Sequence, residues 1–137
     1  MELRRLGDSG LLVWEMGLGT NNFASRLDDG QARRVIDTAL DLGITFLDTA
    51  DIYGRGSAEG MGASESQLRR ILAGRRDRFV LATKFASPMS ESPDERGASR
   101  RWMIRAVENS LRRLDTDRID QRSAERATPP AARFAMG

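Results

Sequence analysis

A chain of 137 residues, 39% hydrophobic and 31% charged, has the composition of one globular domain with a moderate core. A net charge of +2 is too small to argue for nucleic acid, no apolar run approaches a membrane span, and the N-terminus lacks a signal-peptide core. A cytoplasmic protein without a membrane partner is the expectation, and the absence of cysteine and histidine removes disulfides, thiolate sites and the commonest general base and metal ligand.

Taken in order, Glu2 to Val13 reads as a short hairpin around Gly7-Asp8-Ser9-Gly10. Met16 to Thr20 reads as a strand. After a loop, Asp28 or Asp29 can cap a helix whose apolar positions Ala32, Val35, Ile36, Ala39 and Leu40 recur at helical spacing, with Gly43 closing it. Ile44 to Leu47 is continuously apolar and predicts a strand buried on both faces. Asp51 to Gly62 is a loop with four glycines. Ser64-x-x-Gln67 fits a capping box, opening a helix that carries Leu68, Ile71 and Leu72 and ends at Gly74.

Phe79 to Ala82 predicts a third strand, followed by a polar loop from Ala86 to Ala98. Ser99 can cap a long helix with the stripe Met103, Ala106, Val107, Leu111 and Leu114. Arg118-Ile119-Asp120 resembles the first residues of a fourth strand. Strand starts near 16, 44, 79 and 118 have the spacing of βαβ units. An α/β layer with a parallel sheet and right-handed crossovers follows. From Gln121 the sequence turns rich in Ala, Arg and Pro and offers no apolar run, so residues 121–137 are expected to form a divergent, disordered or loosely packed tail behind a domain of residues 1–120.

Two residues stand out chemically. Tyr53 is the only tyrosine, and Lys84 is the only lysine among many arginines. A lysine is a compact charge, whereas a guanidinium stays planar and protonated. An ammonium beside a phenol favours the phenolate and makes the phenol a usable proton donor near neutral pH. Asp48 could hold that ammonium in place. A lone tyrosine also serves as half-buried packing, and a lone lysine after a strand as a solvated charge. Thr20, Asp48, Tyr53 and Lys84 nevertheless all fall at or just past strand C-termini, where such sheets gather their chemistry.

These residues resemble a known family. Gly10-Leu-Leu-Val13, Gly17-Leu-Gly-Thr20, Leu47-Asp-Thr-Ala-Asp-Ile-Tyr-Gly54, Ser64-Glu65-x-x-Leu68, Ala82-Thr-Lys84, Ser110-Leu111-x-x-Leu114 and Asp117-Arg-Ile-Asp120 are similar to the N-terminal part of the aldo/keto reductases over residues 1–120. The resemblance implies a partial TIM (β/α)8 barrel: a hairpin, about three βα units and the start of a fourth strand. It also implies an NADP-dependent oxidoreductase that reduces a small aldehyde or ketone to an alcohol. Tyr53 would be the general acid, Lys84 would assist it, and Asp48 would pair with Lys84 near the nicotinamide ribose. Gly19, Thr20 and Asp48 would contact NADP(H).

The family's catalytic histidine, expected shortly after Asp120, has no counterpart, because Gln121 to Arg126 stand there. Arg69 replaces a usual glycine, and Asn21 a frequent methionine. A barrel of this type takes about 250 residues. The expectation is therefore a reductase truncated by a frameshift near residue 121 and inactive alone. Two alternatives are a non-catalytic regulatory or interaction protein on the same fold, and self-association through exposed strand edges into a barrel-like dimer.

Overall fold

The computed structural model describes residues 2–124. Strands β1 (Leu3–Arg5) and β2 (Leu12–Trp14) form the expected antiparallel hairpin, with Leu3 opposite Trp14. The hairpin buries little: Val13 is buried, while Leu3 and Leu12 are exposed.

A second sheet follows. Its strands are β3 (Gly17–Gly19), β4 (Phe46–Asp48), β5 (Val80–Phe85) and β6 (Gln121–Ala124), adjacent in that order and all parallel. The connections carry helices α1 (Asp29–Asp41), α2 (Ala63–Leu72) and α3 (Arg100–Leu114). This is the α/β arrangement with a parallel sheet that the strand spacing predicts. Among the described residues no helix is long and apolar enough to cross a membrane.

Side chains alternate across the sheet with the strand period of two. Leu47 and Leu81 are paired in register and lie in a core with Ile36 of α1, Leu68, Ile71 and Leu72 of α2, and Leu114 of α3. Phe85 points to the same side, where Trp102 and Ala106 of α3 cover it. The alternate positions, Phe46 and Asp48 on β4 and Lys84 on β5, belong to the opposite face. The continuous apolar run around Ile44 thus does not make a strand buried on both faces, since Phe46 and Asp48 are only half-buried.

The helix ends show which local signals hold. Asp28 caps α1 as expected: its carboxylate accepts from Gln31 N at 2.7 Å, and the Gln31 side chain accepts from Asp28 N at 3.0 Å. Ser99 likewise caps α3 through Trp102 N. The capping box read at Ser64 does not form, because Gly62, two residues earlier, is the N-cap of α2. Gln67 instead reaches out of the helix, accepting from Ala24 N at 2.8 Å and donating to the Leu27 carbonyl at 3.0 Å. The stripe of α3 is also displaced. Trp102, Ala106, Ser110 and Leu114 are buried, a strict i, i+4 row, while Met103 lies at the exposed edge. The bulk of Trp102 fills the space beside Phe85, and this sets the rotation of the helix.

The fourth strand corrects the expected boundary at residue 120. Gln121 to Ala124 complete β6, pairing with Ala82 to Phe85. Strand pairing needs backbone groups rather than apolar side chains, and the edge of β5 supplies them. Asp120 starts the pairing: its amide donates to the Leu81 carbonyl at 3.0 Å, and its carboxylate accepts from Leu81 N at 2.8 Å and from Arg76 at 2.7 Å. The strand's polarity has a cost. The Arg122 guanidinium lies over the Phe85 ring at 4.6 Å, and its nitrogens are buried without a hydrogen-bond partner among the described residues. Burial weakens its hold on the proton, against the pull of the Asp51 and Glu65 carboxylates. Residues 125–137, most of the expected tail, lie outside the described residues.

Asp120 provides a pH test of this junction. Burial pushes its carboxyl up, but the Leu81 amide and the Arg76 and Arg118 guanidinium groups outweigh that and hold it below the usual carboxylate value. A carboxyl depressed in the folded state stabilises above its unfolded value of about 4 and loses that contribution as pH falls through the folded value. Asp120→Asn is expected to be less stable than wild type at neutral pH. The gap, measured by urea unfolding, should narrow as pH falls below about 4.

Candidate active site

The cluster is assembled by the ends of three neighbouring chain segments. Asp48 is the last residue of β4, Lys84 lies near the end of β5, and Tyr53 sits in the glycine-rich loop after β4. The sheet ladder continues past the strands and holds these ends together. Thr20 N donates to the Asp48 carbonyl at 2.9 Å, Thr49 N to the Ala82 carbonyl at 2.9 Å, and Asp51 N to the Lys84 carbonyl at 3.1 Å.

The Tyr53 loop is pinned at both sides. Tyr53 N donates to the Ala50 carbonyl at 3.1 Å, and the Tyr53 carbonyl accepts from Gly62 N at 3.1 Å and Ser64 N at 3.2 Å. The free amides of the first turn of α2 are thus used to hold the tyrosine's backbone, which is why that turn needs no side-chain cap. Close approach depends on Gly54, which adopts φ +91°; a Cβ there would lie 2.6 Å from Ala63 Cβ. No other residue type fits both the left-handed backbone and that distance.

Lys84 is ion-paired with the Asp48 carboxylate and donates to Tyr53 Oη at 3.4 Å and to the Thr49 carbonyl at 3.5 Å. Its Nζ lies 5.3 Å from the centroid of the Tyr53 ring. An ammonium has donors only, so Tyr53 Oη accepts from it, and the phenolic hydrogen is left to point elsewhere. Burial works against the charge on Lys84, but the hydrogen bond and charge of Asp48, aided by Tyr53, outweigh it and raise the ammonium above the ordinary lysine value. At neutral pH Lys84 is therefore a fixed cation, suited to stabilising negative charge on the phenol oxygen rather than to acting as a base.

The structure brings Asp48, Tyr53 and Lys84 together. Gly19 lies beside Asp48 in the register of β3 and β4, is exposed, and has open space where a Cβ would stand. Thr20 is different: it is fully buried, and its hydroxyl donates to the Asp48 carbonyl at 3.2 Å, beneath the cluster rather than on its surface. Residues that the sequence reading left without a role at the site surround these. Glu65 is completely buried and accepts from Thr83 Oγ1 at 2.7 Å and Arg113 Nε at 2.6 Å. Thr49 and Ser64 are also fully buried. Thr49, Ser64 and Glu65 fall within motifs that the sequence offers, but nothing in the spacing assigns them a role at the site, and Ser64 reads first as a cap.

The aldo/keto reductase family profile matches residues 15–130. The chain belongs to the aldo/keto reductase family. This reductase-family chain is 43% identical over 127 residues to the uncharacterized oxidoreductase YrpG of Bacillus subtilis, covering 88% of itself and 38% of that protein. It is 33% identical over 121 residues to a rice protein named probable voltage-gated potassium channel subunit beta, covering 88% of itself and 36% of the relative. The solved holo form of aldo-keto reductase AKR11C1 from Bacillus halodurans superposes with a TM-score of 0.74 at 37% identity, over 90% of this chain and 40% of that one. The chain thus spans well under half the length of these relatives, and its sheet is a portion of their barrel.

Proposed function

We propose that these residues are the proton-donating portion of a carbonyl reductase site. The observation that carries the reading is the Asp48–Lys84–Tyr53 cluster at the C-terminal edge of a parallel sheet in an aldo/keto reductase chain. In this reading Tyr53 donates its phenolic proton to the oxygen of an aldehyde or ketone. The charge left on Tyr53 Oη is stabilised by the Lys84 ammonium 3.4 Å away, and Asp48 keeps that ammonium charged and in position.

NADPH is the proposed cofactor and supplies the hydride when bound. The open space at Gly19 and the adjacent half-exposed Asp48 carboxylate fit the approach of a ribose hydroxyl, which a carboxylate can accept from. Thr20, fully buried, supports that edge from beneath, with its amide and its hydroxyl both donating to the Asp48 carbonyl.

The test places residues 2–124 in the corresponding segment of the Bacillus halodurans reductase, so that the cluster stands in a closed barrel. Aldehyde-dependent NADPH oxidation by the folded chimera is the expected result. A folded chimera that binds NADPH but reduces no carbonyl compound would reject the reading. A second reading, a regulatory protein without turnover, is favoured by the likeness to the rice channel subunit. That reading predicts NADPH binding with no consumption at any carbonyl substrate.

A further inference from the structure

We propose that Ser64 is a positioning residue for the Asp48–Tyr53–Lys84 cluster, acting through a buried knot of hydroxyl groups with Thr20 and Thr49. The inference rests on the catalytic reading above and extends it to a residue that touches none of the reacting groups.

Ser64, Thr20 and Thr49 are each fully buried. Ser64 Oγ lies 3.1 Å from the Thr20 carbonyl, 3.1 Å from Thr20 Oγ1 and 3.3 Å from Thr49 Oγ1. A serine hydroxyl has one hydrogen to give and two lone pairs to accept with. Thr20 O and Thr20 Oγ1 can both accept, so the Ser64 hydrogen is shared between them. Thr20 Oγ1 then gives its own hydrogen to the Asp48 carbonyl at 3.2 Å, and Thr49 gives its hydrogen to Ser64. The hydroxyl order runs from Thr49, just past β4, through Ser64 on α2 to Thr20, just past β3, and back to the Asp48 carbonyl.

The backbone of Ser64 completes the arrangement, since its amide donates to the Tyr53 carbonyl at 3.2 Å. One residue on α2 therefore holds the segment that carries Tyr53 and the strand end that carries Asp48. Thr49, on the other arm of the knot, presents its carbonyl to Lys84 Nζ at 3.5 Å. An alanine would lack only the Oγ, so what a serine adds in this buried position is the hydroxyl and its three contacts. Removing the hydroxyl would leave Thr49 Oγ1 without this acceptor and Thr20 Oγ1 without this donor in a dry site, while the Thr20 carbonyl keeps Phe23 N at 3.0 Å, and the strand ends would move to recover partners.

Lys84 is the only lysine, so a lysine isotope label followed by NMR reads its titration alone in the full chain. Asp48 and Tyr53 are the titratable groups facing it, and Asp48→Asn marks the midpoint of a Lys84 that has lost its main partner. Ser64→Ala and Thr20→Val are expected to shift the midpoint down toward the Asp48→Asn value. Thr20→Ser, which keeps the hydroxyl, should leave it near wild type. Thr20→Val conserves shape, so the comparison survives if Ser64→Ala does not fold.

If Asp48→Asn lowers the midpoint but folded Ser64→Ala and Thr20→Val stay at the wild-type value, the positioning role is overturned and the catalytic reading stands. If Asp48→Asn itself leaves the midpoint unchanged, the pairing beneath both is overturned.

Discussion

Tyr53→Phe is expected to lower carbonyl reduction by the chimeric barrel by about 10²–10⁴-fold, the usual worth of a positioned general acid. The substitution removes one oxygen and little else. The ring stays within reach of the Lys84 ammonium, and the loop keeps its backbone bonds from Gly62 and Ser64. The loss should therefore appear in kcat, with KM and thermal stability close to wild type. Steady-state kinetics on a reactive aldehyde with saturating NADPH separates these quantities. Activity retained within about tenfold would make Tyr53 a packing residue and would move the proton donor elsewhere.

Glu65→Ala is expected to cost about 3–5 kcal/mol of stability, the usual penalty for removing one partner of a buried ion pair. Glu65 is completely buried, with one carboxylate oxygen on Thr83 and the other on Arg113. Its loss removes the ion-pair partner of Arg113, which keeps only Ser110 Oγ at 3.4 Å among the described residues, and the acceptor of the Thr83 hydroxyl. The Arg113 stem packs against Gly62, where an added Cβ would lie 2.5 Å from it.

Total stabilities of small domains run to about 5–15 kcal/mol, so this one change could remove most of the margin. Urea unfolding followed by circular dichroism gives the number. Glu65→Gln, which keeps an acceptor for Thr83, should lose less. A cost below about 1 kcal/mol for Glu65→Ala would mean that α2 and α3 are held by apolar packing alone.

The two effects are linked through β5. Thr83 and Lys84 are neighbours on that strand, one facing Glu65 and the helices, the other facing Asp48. The residue that anchors the strand to α2 thus alternates with the residue that charges the site. The arrangement follows from the strand period of two.

Much of this was legible in the chain itself. The helical spacing of Ala32, Ile36 and Ala39, the Asp28 cap and the run around Phe79 locate α1 and β5 because short-range physics decides them: side-chain period, cap chemistry and apolar burial. The solitary Tyr53 and Lys84 drew attention because no other residue of either type is present, and the structure brings them together with Asp48. Other features depend on partners far along the chain. Ser64 and Gln67 satisfy a capping pattern, yet their polar atoms turn to Thr20, Ala24 and Leu27, some 40 residues away. Arg122 shows no strand signal, but the open edge of β5 pairs with it. Local sequence determined where the helices and strands form and which side chains could do chemistry. Tertiary structure alone decided which buried polar groups meet, because a hydrogen bond in a dry core is assigned by whichever strand end or helix turn arrives there, and sequence spacing does not record that arrival.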